Sequence, residues 1–349
     1  MRLKRREVLL GLTSLGVTLI SASCNNNSPN QTAQTNQTAP ANQTATSPVV
    51  SSGSTASGSK IRIGYQRFSE LDLIRTRGEL DKRLKERGFA VDWVFFQAGP
   101  PMLEAMNAGS LDWGGVGDTP PIFAQAAGAQ FYYVGQTPRG PKTQDIVVLK
   151  DSPIQTPADL KGKKVALQKG SSAHYLLIST LQENNIPVDS VEIVSLSPSD
   201  ARAAFEQGKI DAWSIWDPFL AVIENTGKIR NLNVGKDRRA FFLASQKFAQ
   251  DNPDLVKIIL EEAKNNEQWG QNNTKVIAQQ FSQQLNIDAS ILEIVNERRK
   301  WGLLPIDDSV LTAQQQVADT FYQLKIIPKQ IQVKDVALPS DSYAKLYPS

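Results

Sequence analysis

The chain has 349 residues and a formal net charge of +3, from 38 Lys and Arg against 35 Asp and Glu. One cysteine and one histidine exclude a disulfide framework and a thiolate metal cluster within the chain, and they argue against most histidine-based metal sites. The excess charge sits in residues 1–7, which hold four basic residues and one acidic; from Lys60 onward 34 positive charges face 34 negative ones, so the basic footprint of a nucleic-acid binder is absent.

Val8 to Ile20 is a 13-residue apolar run behind Arg2, Lys4, Arg5 and Arg6. It is shorter than the ~20 residues that span a bilayer as a helix. Small residues at Ser21 and Ser23 suit cleavage before Cys24, so residues 1–23 are expected to be a signal peptide. A cysteine at the new N-terminus resembles the lipobox of bacterial lipoproteins, with Ser21 where that motif usually has Leu. The resemblance implies lipidation of Cys24 and a membrane-anchored, extracytoplasmic protein. Arg5-Arg6-Glu7-Val8-Leu9 also looks like a weak twin-arginine signal. Residues 24–59 are almost wholly Asn, Gln, Thr, Ser, Ala, Pro and Gly, a composition that cannot bury enough apolar surface to offset ordering entropy. They are expected to be a disordered tether.

From Lys60 the pattern changes. Ile61, Ile63 and Tyr65 alternate as a strand, and Asp72 to Arg87 reads as one amphipathic helix ended by Gly88. Val91 to Phe96 is a strand, Pro101 to Ala108 a helix, Leu111 to Gly117 a strand and Pro120 to Ala127 a helix. A second series follows. Lys164 to Leu167 is a strand, and Gly170-Ser171-Ser172 opens a helix to about Glu183. Glu192 to Leu196 is a strand, Asp200 to Gln207 a helix capped by Ser199, and Asp211 to Trp216 a strand. Phe241 to Leu243 reads as a return strand. Helices are then expected over Pro253 to Gln268, Thr274 to Leu285, Asp288 to Arg299 and Asp308 to Leu324. The fold class is therefore α/β, with mostly parallel sheets covered by helices.

The two series echo one another. Gly109-x-Leu111-Asp112 recurs as Gly208-x-Ile210-Asp211, and Asp118 recurs as Asp217, all at one offset of 99 residues. The echo is either shared βα grammar or a pair of similar lobes. Two lobes would place their strand carboxyl ends, the usual border of a ligand crevice, face to face.

Three segments could carry chemistry. Gly170-Ser171-Ser172 places a turn and two hydroxyls at a helix start, which serves either as a plain N-cap or as an anion site favoured by the helix dipole. It lacks the Gly-Lys-Ser/Thr ending of a Walker A loop. Asp118-Thr119-Pro120 and Asp217-Pro218 open the matching helices; each Asp is a cap or a cleft residue, and a free carboxylate there would repel an anion. His174 follows the serines as a ligand donor or a helix-face residue. Trp216, at a strand end, is placed to line a pocket. No metal and no cofactor is implied.

Ile63-Gly64-Tyr65-Gln66, Gln97-Ala98-Gly99-Pro100, Gly117-Asp118-Thr119-Pro120-Pro121-Ile122-Phe123, Gln168 to Ser172, Ala201 to Phe205 and Ile215-Trp216-Asp217-Pro218 together resemble the aliphatic sulfonate-binding proteins of ABC importers. The resemblance runs from Lys60 to the C-terminus. It implies a two-lobed type II periplasmic binding protein with the ligand cleft between two α/β domains. Lobe I is expected over residues 60–145 with 240–349, and lobe II over 146–239. It also implies a monomer that captures an aliphatic sulfonate by closure and delivers it to a membrane permease, without catalysis. Carried over position by position, it assigns Gln66, Asp118, Thr119, Ser171, Ser172, His174, Trp216 and Asp217 to the pocket. Arg67 to Leu71 and Thr119 depart from the family pattern and bear on ligand choice. Binders of taurine, nitrate or a thiamine precursor, and a pyrimidine synthase of thiamine biosynthesis, stay open as alternatives; relatives of that last kind carry a cysteine-rich motif, and Cys24 is the sole cysteine here.

Overall fold

Apolar side chains at alternate positions build the first strand, β1 (Ser59–Tyr65), in which Ile61 and Ile63 are buried. The computed structural model describes residues 59–140 and 142–348, so the signal segment, Cys24 and nearly all of the tether lie outside the described residues. The chain continues through α1 (Glu70–Arg77), α2 (Glu79–Lys85), β2 (Phe89–Phe95), α3 (Gly99–Asn107), β3 (Trp113–Gly117), α4 (Pro120–Ala126) and β4 (Phe131–Gln136). It then crosses into β5 (Gln144–Leu149), β6 (Lys164–Leu167), α5 (Ser172–Glu183), β7 (Glu192–Ser195), α6 (Pro198–Glu206), β8 (Ala212–Trp216), α7 (Phe219–Glu224) and β9 (Ile229–Asn231). It returns through β10 (Ala240–Ser245) and ends in α8 (Gln246–Asp251), α9 (Pro253–Asn272), α10 (Thr274–Leu285), α11 (Ala289–Arg298), α12 (Asp308–Gln323) and α13 (Ser340–Leu346).

Two five-stranded sheets result, ordered β2-β1-β3-β10-β4 and β7-β6-β8-β5-β9. In each, three parallel strands joined by helices are followed by one antiparallel strand that arrives from the other side of the crossing: β10 against β3, and β5 against β8. The 99-residue echo has a structural counterpart. Gly109 and Gly208 both stop a helix at positive φ, +71° and +69°. Asp112 then accepts the backbone N–H of Arg62 (2.8 Å), and Asp211 that of Lys164 (2.7 Å), so the same carboxylate ties the third strand to the first in both sheets.

Three local expectations differ from the structure. The helix expected over Asp72 to Arg87 is two helices, because Gly78 turns left-handed at φ +71° and its N–H closes α1 on the Ile74 carbonyl. The cap of α6 is Ser197, whose Oγ accepts the Asp200 N–H at 3.3 Å; Pro198 occupies the first helical position, so Ser199 is already inside the turn. The boundary expected between residues 145 and 146 falls inside β5, which joins the second sheet as one strand from Gln144, opposite Trp216.

Each sheet has its own core. Trp213, Phe205, Leu177 and Val165 are buried around the second sheet, while the first is packed on both faces, by α3, α4 and α12 on one and by α1 and α9 on the other. The hairpin of α10 and α11 reaches α7 of the second lobe, where Ala221 joins Phe68, Phe281 and Val295 in a shared apolar cluster. No described helix is long and apolar enough to cross a membrane.

Candidate ligand-binding cleft

The carboxyl ends of β1, β3 and β8 meet the start of α5 and the entry to β10 around one cleft that is partly open to solvent. On the second lobe, Ser171 caps α5 in extended conformation, yet its Oγ makes no capping bond; it is buried and has no hydrogen-bond partner among the described residues. Buried hydroxyls normally find a partner, so this one is set to meet something in the cleft. Ser172 is also buried, and its Oγ lies 2.2 Å from where a Cβ on Gly117 would stand. A terminal nitrogen of Arg238 lies 3.1 Å from the same point. Only glycine at 117 leaves this place open, so backbone from one lobe, hydroxyls from the other and a guanidinium converge on it.

Among the described residues the Arg238 side chain makes one hydrogen bond, Nε to Thr143 Oγ1 at 3.2 Å, which leaves its terminal nitrogens for the cleft. Gln66 lines the cleft with its amide nitrogen donated to the Gly115 carbonyl at 3.0 Å. Trp216, Phe68, Val116 and Val295 supply apolar wall. Trp216 stands edge-on to Phe219, with ring centroids 6.1 Å apart.

Asp217 also borders the cleft, but its carboxylate is engaged on the far side. Oδ1 accepts the Ala221 N–H at 3.1 Å and Arg298 Nη1 at 3.2 Å, while Arg298 Nη2 donates to Glu224 at 2.6 Å. Arg298 ends α11 and its two acids belong to the second lobe, so the triad ties the lobes together. Burial pushes the Asp217 carboxyl up to about 6 in spite of Arg298. The repulsion expected of a carboxylate in an anion cleft is thus met by neutralisation across the interface.

Three expected pocket residues stand elsewhere. Asp118 accepts the Thr119 hydroxyl at 3.0 Å, and its carbonyl accepts Gln314 Nε2 at 2.7 Å, which holds the turn back against α12. Thr119 is fully buried. His174 is buried behind the serines: its Nδ1 accepts the Gly170 N–H at 3.2 Å, and its ring packs on Phe123 and Phe321 of the first lobe. Burial, reinforced by nearby Lys169, lowers its pKa to about 4, so the ring is neutral. It shapes the Gly170 turn and lies outside the cleft lining.

Sequence reasoning tied Arg67 to ligand choice but missed the other basic residues of the cleft: Arg238, Arg239, Arg299 and Lys300. Arg238 and Arg239 precede the antiparallel strand in a stretch without periodic signal, and Arg299 and Lys300 follow α11 where its helical pattern runs out. A run of paired cations just before a strand that changes lobes was the available clue. Among the described residues, no group of three or more His, Cys, Asp or Glu side chains is placed to hold a metal ion.

Residues 84–275 match the family model described as NMT1/THI5 like. Over 284 residues the chain is 38% identical to a protein of Escherichia coli (strain K12) described as an aliphatic sulfonates-binding protein, covering 80% of this chain and 88% of that one. A Bacillus subtilis (strain 168) protein of the same description is 35% identical over 290 residues, covering 82% and 87%. Among solved structures, the alkanesulfonate-binding protein SsuA from Xanthomonas axonopodis pv. citri, bound to MOPS, superposes with a TM-score of 0.76 at 36% identity, covering 80% of this chain and 98% of that one.

Proposed function

The chain belongs to the NMT1/THI5-like family, with aliphatic sulfonate-binding proteins among its relatives, and on that premise we propose that it is the extracytoplasmic solute-binding component of an ABC importer for aliphatic sulfonates. The observation that carries the ligand class is the partnerless, buried Oγ of Ser171 at the start of α5, beside Ser172, the Gly117 backbone and the terminal nitrogens of Arg238. A sulfonate is a permanent monoanion with three acceptor oxygens. Hydroxyl donors, helix N–H groups and a guanidinium match it, and the apolar wall accepts its chain.

Function then follows from closure. Residues of both lobes contribute to one anion site, so a bound solute favours the closed arrangement, which a membrane permease recognises. The protein acts as a monomer and needs no cofactor. It is held to the membrane through a lipid on Cys24 after removal of residues 1–23, with the Asn- and Thr-rich tether giving it reach. Replacing Cys24 with Ala should move the mature protein from the membrane to the soluble fraction; retention at the membrane would remove the anchor from this reading.

Calorimetry with ethanesulfonate tests the site. Ser171→Ala with Ser172→Ala removes two charge-assisted donors and should weaken binding by roughly tenfold or more. Unchanged affinity in the folded double variant would overturn the assignment.

A further inference from the structure

The first lobe and the second together carry balanced charge, but their cleft does not. Five basic side chains line it, Arg67, Arg238, Arg239, Arg299 and Lys300, against two acids, Glu70 and Asp217. Asp217 is already paired with Arg298, which leaves Glu70 as the single uncommitted carboxylate. Among the described residues, none of the five cations forms an ion pair, whereas neighbouring Arg75, Arg83 and Arg298 all do. Arg238 donates to Thr143, Arg239 to Gln136 and Arg299 to the Phe68 carbonyl, all neutral acceptors.

The five separate into two places. Arg238 stands with Ser172 and Gly117 at the anion cradle. Arg67 and Arg299 both line the cleft around the loop between β1 and α1, on different rings: Arg67 stacks over Phe95 with its guanidinium 5.0 Å from the ring centroid, and Arg299 lies between Phe68 at 5.3 Å and Trp301 at 4.9 Å. Lys300 follows Arg299 directly. Nearby acids do little to offset them. Asp72 is paired with Arg75, and the Glu267 carboxyl, on the Arg299 side, is pushed up by burial and by the charge of Glu70, against the pull of Arg299. One sulfonate head group at Arg238 leaves Arg67, Arg299 and Lys300 facing Glu70 as the one uncommitted carboxylate of the lining.

We propose, resting on the sulfonate reading above, that the preferred solute carries a second acidic group. It is then a short sulfocarboxylate or disulfonate, its second anion held by Arg67, Arg299 and Lys300. A wall of aromatic rings and aliphatic side chains alone would select a plain alkyl chain; a wall of unpaired cations disfavours an ammonium and selects an anion. Glu70 is the one feature that would suit an ammonium.

Three two-carbon sulfonates separate the possibilities by calorimetry at pH 7.5 on the folded mature protein: ethanesulfonate, 2-sulfoacetate and taurine. Sulfoacetate should bind at least about tenfold more tightly than ethanesulfonate, the size of one charge-assisted contact. Arg67→Gln with Lys300→Gln, both exposed positions, should collapse that ratio to within about threefold. Ethanesulfonate or taurine binding as well as sulfoacetate would overturn the proposal while leaving the sulfonate reading standing, and a preference undiminished in the double variant would overturn the role given to this cluster. Failure of all three to bind would take down the sulfonate reading itself, and the proposal with it.

Discussion

Among the described residues, two of the contacts that join the lobes beside the cleft are made of different material. On one flank His174 and Tyr175 of α5 pack on Phe321, and Phe123 packs on both His174 and Phe321. On the other, Arg298 bridges Asp217 and Glu224. The first is apolar and depends on a neutral imidazole; the second is ionic, with a buried carboxylate that is easily protonated. Their pH responses therefore run in opposite directions. The unfolded His174 takes a proton near its ordinary 6.5, the folded one only near 4, so its contribution is full above 6.5 and is lost as pH falls toward 4. Asp217 releases its proton near 3.8 when unfolded and near 6 when folded, so stability from this group is greatest below 3.8 and declines as pH rises through 6.

The comparison breaks most visibly at Phe321, which is wholly buried between the flank and its own core. Phe321→Ala should cost about 4 kcal/mol in urea denaturation, and a loss under about 1 kcal/mol would mean the apolar flank is not a packed contact. Next, His174→Gln removes the acid-sensitive group while offering an amide oxygen to Gly170. It should abolish roughly 3 kcal/mol of the stability change between pH 7 and 4, and an unaltered pH profile would take His174 out of the account. Asp217→Asn acts in the opposite sense. It should flatten a decline of roughly 2 kcal/mol between pH 4 and 7, seen as a thermal midpoint that no longer falls across that range; a midpoint that still falls in the variant would assign the decline to another group. The smallest effect belongs to an exposed cross-lobe bond, Ser199 Oγ to Gln97 Oε1 at 2.9 Å. Ser199→Ala should change stability by less than ~0.5 kcal/mol, and a larger loss would show that the surface contributes to closure.

Much of this fold could be read in advance because its signals are local. Gly109 and Gly208 end helices wherever they stand, and Asp112 and Asp211 follow at the same spacing to tie neighbouring strands. Thr274 to Leu285 forms the helix its pattern predicts, to the residue. The crossing strand β5 and the outer strand β4 were missed, since short buried runs such as Ile146-Val147-Val148 carry no periodicity that separates strand from helix. Ser199 was the expected cap of α6, and the place of Pro198 in the first turn gives that role to Ser197. In the cleft, Gln66, Ser171, Ser172, Trp216 and Asp217 come together, whereas Asp118, Thr119 and His174 are drawn behind it by bonds to α12, by burial and by aromatic packing.

The sequence by itself determined the alternation of strands and helices, the repeat between lobes, the hydroxyl pair at a helix start and the neutrality of the body. Those properties depend on residues a few positions apart. Only the tertiary structure decided the electrostatics of the cleft. Cations at 67, 238, 239, 299 and 300 are remote in sequence, and it takes a strand returning to the first sheet and a helix hairpin closing over the second lobe to bring them around one cleft. Net charge is a sum and carries no positions. The same two crossings that make the lobes also concentrate positive charge between them.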